Sequence, residues 1–361
     1  MLGLQGRDVR LLVVSLVLAI AAWLLDAHPI GRVLPFVIAA LALAALATLV
    51  GRCVDALGDR LGAGATGVVQ SALGNLPELF VCVFALRAGL DNVVRAAIVG
   101  SVLANVLLVL GLAFLVGGLK NGTQHFDSER ARSVSLLLLL AVAGLLVPSL
   151  TFALHTPAAG HEVAFSRVAA ALLLLLFALS LPAALGRGSS EHAPTPDQVD
   201  DGDGDGEVLE WPLGLSLGLL AFSGVAAAFV SDWFVAALSP AMDALHLSQA
   251  FAGLVIVAIA GNAVENVVGI QLAARNRMDY ALSVILQSPV QIALVLAPVL
   301  VLGAPLVGAT FTLVLSPILI AVLVLSVLVT TVVVFDAESN WLEGVALIVL
   351  YCLCATAFFW G

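Results

Sequence analysis

Charge is what this chain lacks most. Only 11% of its 361 residues are Asp, Glu, Lys or Arg, while 62% are hydrophobic. A typical soluble domain carries about 25% charged residues. So much apolar surface cannot be hidden from water in a soluble fold. Basic residues are few and scattered, so no basic patch supports nucleic-acid binding. Cys53, Cys82, Cys352 and Cys354 follow no zinc spacing and imply no disulfide framework; they read as small buried hydrophobes. The histidines His28, His125, His155, His161, His192 and His246 lie in or beside predicted loops and form no relay. Alternating polar and apolar strands of the barrel kind are missing, which leaves helices as the means of crossing a bilayer.

What is present is a succession of apolar runs near the roughly 20 residues that a spanning helix needs. They predict an all-α integral membrane protein of eleven transmembrane helices, over 11–27, 33–51, 64–87, 93–117, 133–154, 163–186, 212–237, 249–274, 280–303, 307–334 and 341–359. Arg7 and Arg10 precede the first run, as in a signal peptide. No small-residue cleavage site stands out and another run follows at once, so an uncleaved first helix is expected. The net charge of −10 is concentrated: eight acidic residues fall between Glu191 and Glu210.

Positive charge sets the orientation. With the N-terminus inside, the cytoplasmic side holds Arg7, Arg10, Arg52, Arg60, Lys120, Arg130, Arg132, Arg187, Arg275 and Arg277, and the outer side only Arg32, Arg87, Arg95 and Arg167. The acidic linker is then cytoplasmic and the C-terminus outside. The expected location is a bacterial plasma membrane.

Two segments repeat each other inside apolar runs. Gly74-Asn75-Leu76-Pro77-Glu78 and Gly261-Asn262-Ala263-Val264-Glu265 share a Gly-Asn-x-x-Glu frame 187 positions apart. A carboxylate at mid-membrane costs about 2.5–3.5 kcal/mol on insertion scales. Two in one frame read as two halves of one cation site. The repeat extends further, since Ser101 and Ser288 each lie 23 residues beyond their Glu. Glu78 falls on the third helix and Glu265 on the eighth, so the two cross in opposite directions. Helices 2–6 and 7–11 become inverted five-helix repeats, with the first helix as an extra. Secondary transporters commonly have this plan. The domain boundaries follow: 1–30 for the extra helix, 31–186 and 212–361 for the repeats, and 187–211 for the acidic linker.

In each motif Asn and Glu are three apart and share a helix face. Gly74 and Pro77 weaken their helix and free backbone oxygens; Gly261 weakens its own more mildly. The return helices add Ser101 and Asn105, then Gln287, Ser288 and Gln291, with Gln287 and Gln291 expected to face one way. The alternative for these polar groups is plain hydrogen bonding between helices. Every candidate ligand is an oxygen donor, which disfavours a soft transition metal. Two carboxylates with carbonyl and hydroxyl oxygens suit Ca²⁺, which takes six to eight oxygens; Mg²⁺ gives up its water reluctantly. Protons neutralise the same carboxylates, so Ca²⁺ and H⁺ compete for one site. Exchange follows if the empty, charged site cannot reorient.

These residues resemble the cation/proton exchanger family of the calcium/cation antiporter superfamily. The resemblance runs through GNLPELFVCVFALRAG, GSVLANVLLVLGLAFLVGGL and the Gln124-His125-Phe126 segment, then FAGLVIVAIAGNAVEN and SPVQIALVLAPVLVL. It implies that the acidic pair binds Ca²⁺ and exchanges it for protons, with the repeats as transport core. It is specific at Glu78, Glu265, Asn75, Asn262, Ser101, Asn105, Ser288 and Gln291. There are departures. Asn266 stands where the family often has His, Gln287-Ser288-Pro289 replaces Gly-Ser-Ser, and Pro77 resembles the sodium/calcium branch. They bear on counter-ion and selectivity.

Asp201-x-Asp203-x-Asp205-Gly206 copies the start of an EF-hand loop, but position twelve would be Pro212, and a disordered acidic tether is expected. Asp232, near the outer end of the seventh helix, reads as a snorkelling charge, with guidance of ions or protons at the outer entrance as the alternative. A Na⁺/Ca²⁺ exchanger keeps the fold and changes the counter-ion. An acidic cation channel would need a pore, usually built from identical subunits. An intramembrane hydrolase lacks a nucleophile motif. The expectation is therefore a non-enzymatic antiporter without a cofactor. Its partners are Ca²⁺, H⁺ and the lipid bilayer, with a homo-oligomer as an open alternative to a single chain.

Overall fold

The computed structural model describes residues 6–187 and 211–360; the side chains at 55, 58–72, 130, 182–187 and 263–266 lie outside the description. The linker expected over 187–211 therefore falls almost wholly outside the described residues. The described chain is helical apart from two two-residue strands, β1 (Gln124–His125) and β2 (Glu338–Ser339), which pair antiparallel. Eight described helices are long and apolar enough to cross a membrane, and Gln249–Gly261 and Pro317–Val333 are shorter apolar helices. The chain divides into two compact units.

Unit one comprises Met1–Ala88, Ser180–Leu247 and Ala260–Val264. It holds α1 (Gly6–Ala27), α2 (Leu34–Leu73), α3 (Leu76–Arg87) and α8 (Leu213–Leu245). α2 packs against α1 and α8, and α3 against α8. Trp211 is fully buried with Leu49, Cys53 and Ala56 of α2, and Asp8 of α1 pairs with Arg52 of α2. The loop expected between 52 and 63 is helix instead: α2 runs on for 40 residues. Val54, Leu57 and Leu61 keep helical spacing there, and no proline interrupts before Pro77.

Unit two comprises Gly89–Leu179, Ser248–Ile259 and Glu265–Gly361. α4 (Asp91–Leu103) continues through a π-helical turn, Ala104–Val109, into α5 (Leu110–Asn121). α6 (Ser128–Ala153) follows, then α7 (Glu162–Arg187) as far as Leu179. Later come α11 (Ala263–Ala274), α12 (Met278–Gln291), a second π turn at Ile292–Leu296, α13 (Ala297–Gly303), α14 (Pro317–Val333) and α15 (Trp341–Phe359). α15 packs on α5, and α4 packs on a third π turn, Ala252–Val257.

The tenth predicted helix, 307–334, is corrected at its start. Residues 309–316 form neither helix nor sheet, and the helix begins only at Pro317. Gly308 turns the chain with φ of 74°, and Ser316, held before a proline, is extended at ψ of 152°. Phe311, Leu313 and Leu315 alternate inward, as in a strand. No sheet serves this stretch, so side chains satisfy its backbone. Ser149 Oγ donates to Leu313 O at 2.7 Å and accepts from Leu315 N at 2.9 Å. Ser166 Oγ accepts from Leu313 N at 3.0 Å, and Arg95 donates to Thr312 O at 3.4 Å. Irregular backbone survives in a membrane only where the protein satisfies it. Ser149→Ala orphans two buried backbone groups and should cost on the order of 3 kcal/mol, read as a lower melting temperature. Ser316→Ala, at an exposed hydroxyl, should cost about 0.5 kcal/mol or less.

Candidate cation site

Both signature segments interrupt their helices. In the first, Gly74 and Asn75 form a turn between α2 and α3. Pro77 falls in the first turn of α3, where its missing N–H is no loss. In the second, α10 (Ala258–Gly261) stops at Gly261, Asn262 is a turn, and α11 starts at Ala263. The shorter break matches the chemistry: Val264 stands where Pro77 stands in the first copy. The helical interruptions expected from sequence are there, the proline-containing one being the wider.

Within unit one the two segments meet. Glu78, only 1% exposed, lies on Gly261: a Cβ built there would stand 3.4 Å from Glu78 Cβ and Cγ and 3.6 Å from Cδ. Asn75 and Asn262 are buried as well. Glu78 sits in the first turn of α3, where the helix dipole favours a negative charge. A carboxylate, two carboxamides and the ends of two broken helices make an oxygen-donor environment. Glu265 lies on α11, and its side chain is outside the described residues.

Within unit two the return helices meet. Ser101, Asn105, Ser288 and Gln291 are all buried. Asn105 Nδ2 donates to Ser101 O at 2.9 Å and to Ser288 Oγ at 3.3 Å, so residues 183 positions apart in sequence touch. Asn105 Oδ1 is buried and accepts no hydrogen bond among the described residues. Gln287 differs from Gln291: it is exposed.

Sequence reasoning missed the π turns. Ala104–Val109 follows Ser101, and Ile292–Leu296 follows Ser288, at nearly the same offset as the motifs. A π turn carries an extra residue per hydrogen-bonded ring and recurs at functional sites. No residue-type pattern announces it. Arg95, an outer charge by sequence, donates to Thr312. Asp232 is exposed, as are His28, His125, His155, His161 and His246.

Comparison with known proteins adds four findings. A family profile described as "Sodium/calcium exchanger protein" matches residues 32–185 and 215–360. The Ca(2+)/H(+) antiporter of Synechocystis sp. is 31% identical over 342 residues, covering 91% of each chain. The solved structure of native YfkE is 29% identical, with a TM-score of 0.79, over 96% of this chain and 100% of that one. The sodium-calcium exchanger NCX_Mj, at 20% identity and a TM-score of 0.56 over 94% and 99% of the chains, shares the fold.

Proposed function

The chain belongs to the sodium/calcium exchanger protein family, and from that premise we propose that it exchanges Ca²⁺ for H⁺ across a membrane, with Glu78 and Glu265 holding the cation and the protons in turn. The observation that carries the reading is the burial of Glu78 against Gly261, where both repeated motifs break their helices. The names of the relatives support the choice of ions: the Synechocystis protein is a Ca(2+)/H(+) antiporter.

The chemistry follows from charge balance. Two carboxylates neutralise one Ca²⁺, and carboxamide, hydroxyl and main-chain oxygens from Asn75, Asn262, Gly74, Gly261, Ser101, Asn105, Ser288 and Gln291 complete a set of hard donors. Asn105 Oδ1, buried without a donor of its own, is suited to such a role. Emptied, the site would keep two negative charges in a region where charge is costly. It reorients only when Ca²⁺ or protons have neutralised it, and that condition couples the two fluxes.

The architecture we propose is eleven helices: an extra one within 1–30, then inverted five-helix repeats over 31–186 and 212–361, joined by the linker 187–211. The matched helix breaks and matched π turns support the repeat. The N-terminus is assigned to the cytoplasm and the C-terminus to the outside of a bacterial plasma membrane, on the charge bias of the loops.

A Na⁺/Ca²⁺ exchanger of the same fold is the second reading, favoured by Pro77. The test is Ca²⁺ flux in proteoliposomes. Under an imposed pH gradient without Na⁺, uptake is expected to follow the gradient and to collapse when a protonophore removes it. Uptake that needs a Na⁺ gradient and ignores pH would replace this reading with the second.

A further inference from the structure

A cavity of about 660 Å³ opens in unit two, away from the motif residues. Its volume is in the range of small-molecule sites. Asn92 and Arg95 line it from the start of α4, Gln249 from the start of the short apolar helix Gln249–Gly261, and Ser316 from the residue before α14; Phe152 and Leu319 supply apolar walls. No carboxylate lines it among the described residues; Asp91, one turn before Arg95, is not part of the wall.

Three features suit it to an anion at the membrane edge. First, Arg95 makes no ion pair among the described residues. Its Nε donates to Thr312 O, one Nη to Thr312 Oγ1 at 3.3 Å and the other to Asn92 Oδ1 at 3.5 Å, with the guanidinium 5.3 Å from the Phe311 ring centre. A guanidinium has five N–H groups, so two remain. Second, the positive ends of α4 and α14 both begin at this cavity, and Ser316 makes no side-chain cap on α14. Third, the lining residues lie at the ends of candidate spans: Asn92 near the start of Asp91–Asn121, Ala153 at the end of Ala131–Ala153. The cavity therefore lies beside the ends of two candidate spans.

We propose that this cavity binds the phosphate of an anionic phospholipid, with Arg95 as its charged contact and the Phe152 and Leu319 side against the acyl chains. The same guanidinium grips the non-helical segment at Thr312, so the lipid would brace the stretch of unit two that no sheet supports. This stands apart from the identity of the transported ions.

The test is retention of phosphatidylglycerol against phosphatidylcholine by the purified full chain, read by native mass spectrometry from mixed micelles. Phosphatidylglycerol should be retained preferentially. Arg95→Gln should weaken that retention about fivefold, the worth of one basic residue at an anionic surface, and leave phosphatidylcholine unchanged. Because Arg95→Gln also removes the Thr312 contacts, Gln249→Glu is the second variant: it adds a negative wall charge with those contacts intact and should act in the same direction. Equal retention of both lipids by the unaltered chain, or unchanged phosphatidylglycerol retention in Gln249→Glu, overturns the proposal. Displacement of phosphatidylglycerol by millimolar inorganic phosphate would assign the cavity to a soluble anion and overturn the lipid reading.

Discussion

Glu78→Gln is expected to abolish Ca²⁺ transport while leaving the protein folded. A unit charge and a monovalent ion about 4 Å apart interact by about 4 kcal/mol at an effective dielectric of 20, and a divalent ion by more. Even after the cost of stripping water from a carboxylate, losing that charge should weaken Ca²⁺ binding by about a hundredfold or more. Gln has nearly the shape of Glu, so the contact with Gly261 can persist. The melting temperature without Ca²⁺ should hold or rise, because a buried charge has been removed. The stabilisation that Ca²⁺ gives the unaltered chain should vanish. Glu265→Gln should do the same if the two carboxylates share one cation. Wild-type flux in either variant would end the paired-carboxylate reading.

How much of this was legible in the sequence depends on what kind of signal each feature leaves. The two Gly-Asn-x-x-Glu frames were legible because burying a carboxylate in an apolar run is costly, and a second copy at a fixed spacing is improbable by chance. The helix breaks beside Gly74 and Gly261 were legible for a related reason, since glycine weakens a helix interior and proline is at home only in a helix's first turn. The run of α2 past Arg52 was not. A charged stretch reads as a loop in a hydropathy scan, whereas Asp8 supplies Arg52 with a partner in the fold. The non-helical stretch before Pro317 was hidden by the opposite effect. Its residues are as apolar as a spanning helix, and the hydroxyls that satisfy its backbone, on Ser149 and Ser166, lie some 150 residues away in the chain. The contact of Asn105 with Ser288 was foreseeable only through the repeat, which puts both on matching return helices.

Gly100→Ala and Gly253→Ala should strike the fold before they strike the site. A Cβ on Gly100 would stand 2.1 Å from Leu254 O, and one on Gly253 would stand 2.3 Å from Val93 O. Both obstacles are main-chain oxygens, which cannot rotate aside as a side chain can. α4 and the π turn at Ala252–Val257 would have to part by roughly 1 Å, forfeiting much of the contact energy along the crossing. Small residues are what let membrane helices approach this closely. Each variant is therefore expected to lose about 1–3 kcal/mol, the range for overpacking a core, read as a lower melting temperature in detergent with Ca²⁺ absent. Gly224→Ala is the control: nothing lies within 4 Å of its Cβ position, and removing a helical glycine should leave stability unchanged or raise it. Transport should fall with stability in the first two, because α4 carries Ser101 and runs straight into the π turn that carries Asn105, and displacing it strains the 3.3 Å bond from Asn105 to Ser288. The pattern is the reverse of Glu78→Gln, where flux is lost and the melting curve is kept. Wild-type melting in Gly100→Ala would mean that the two segments do not cross at this distance. Both results together would separate the residues that hold the scaffold from the carboxylate that meets the ion.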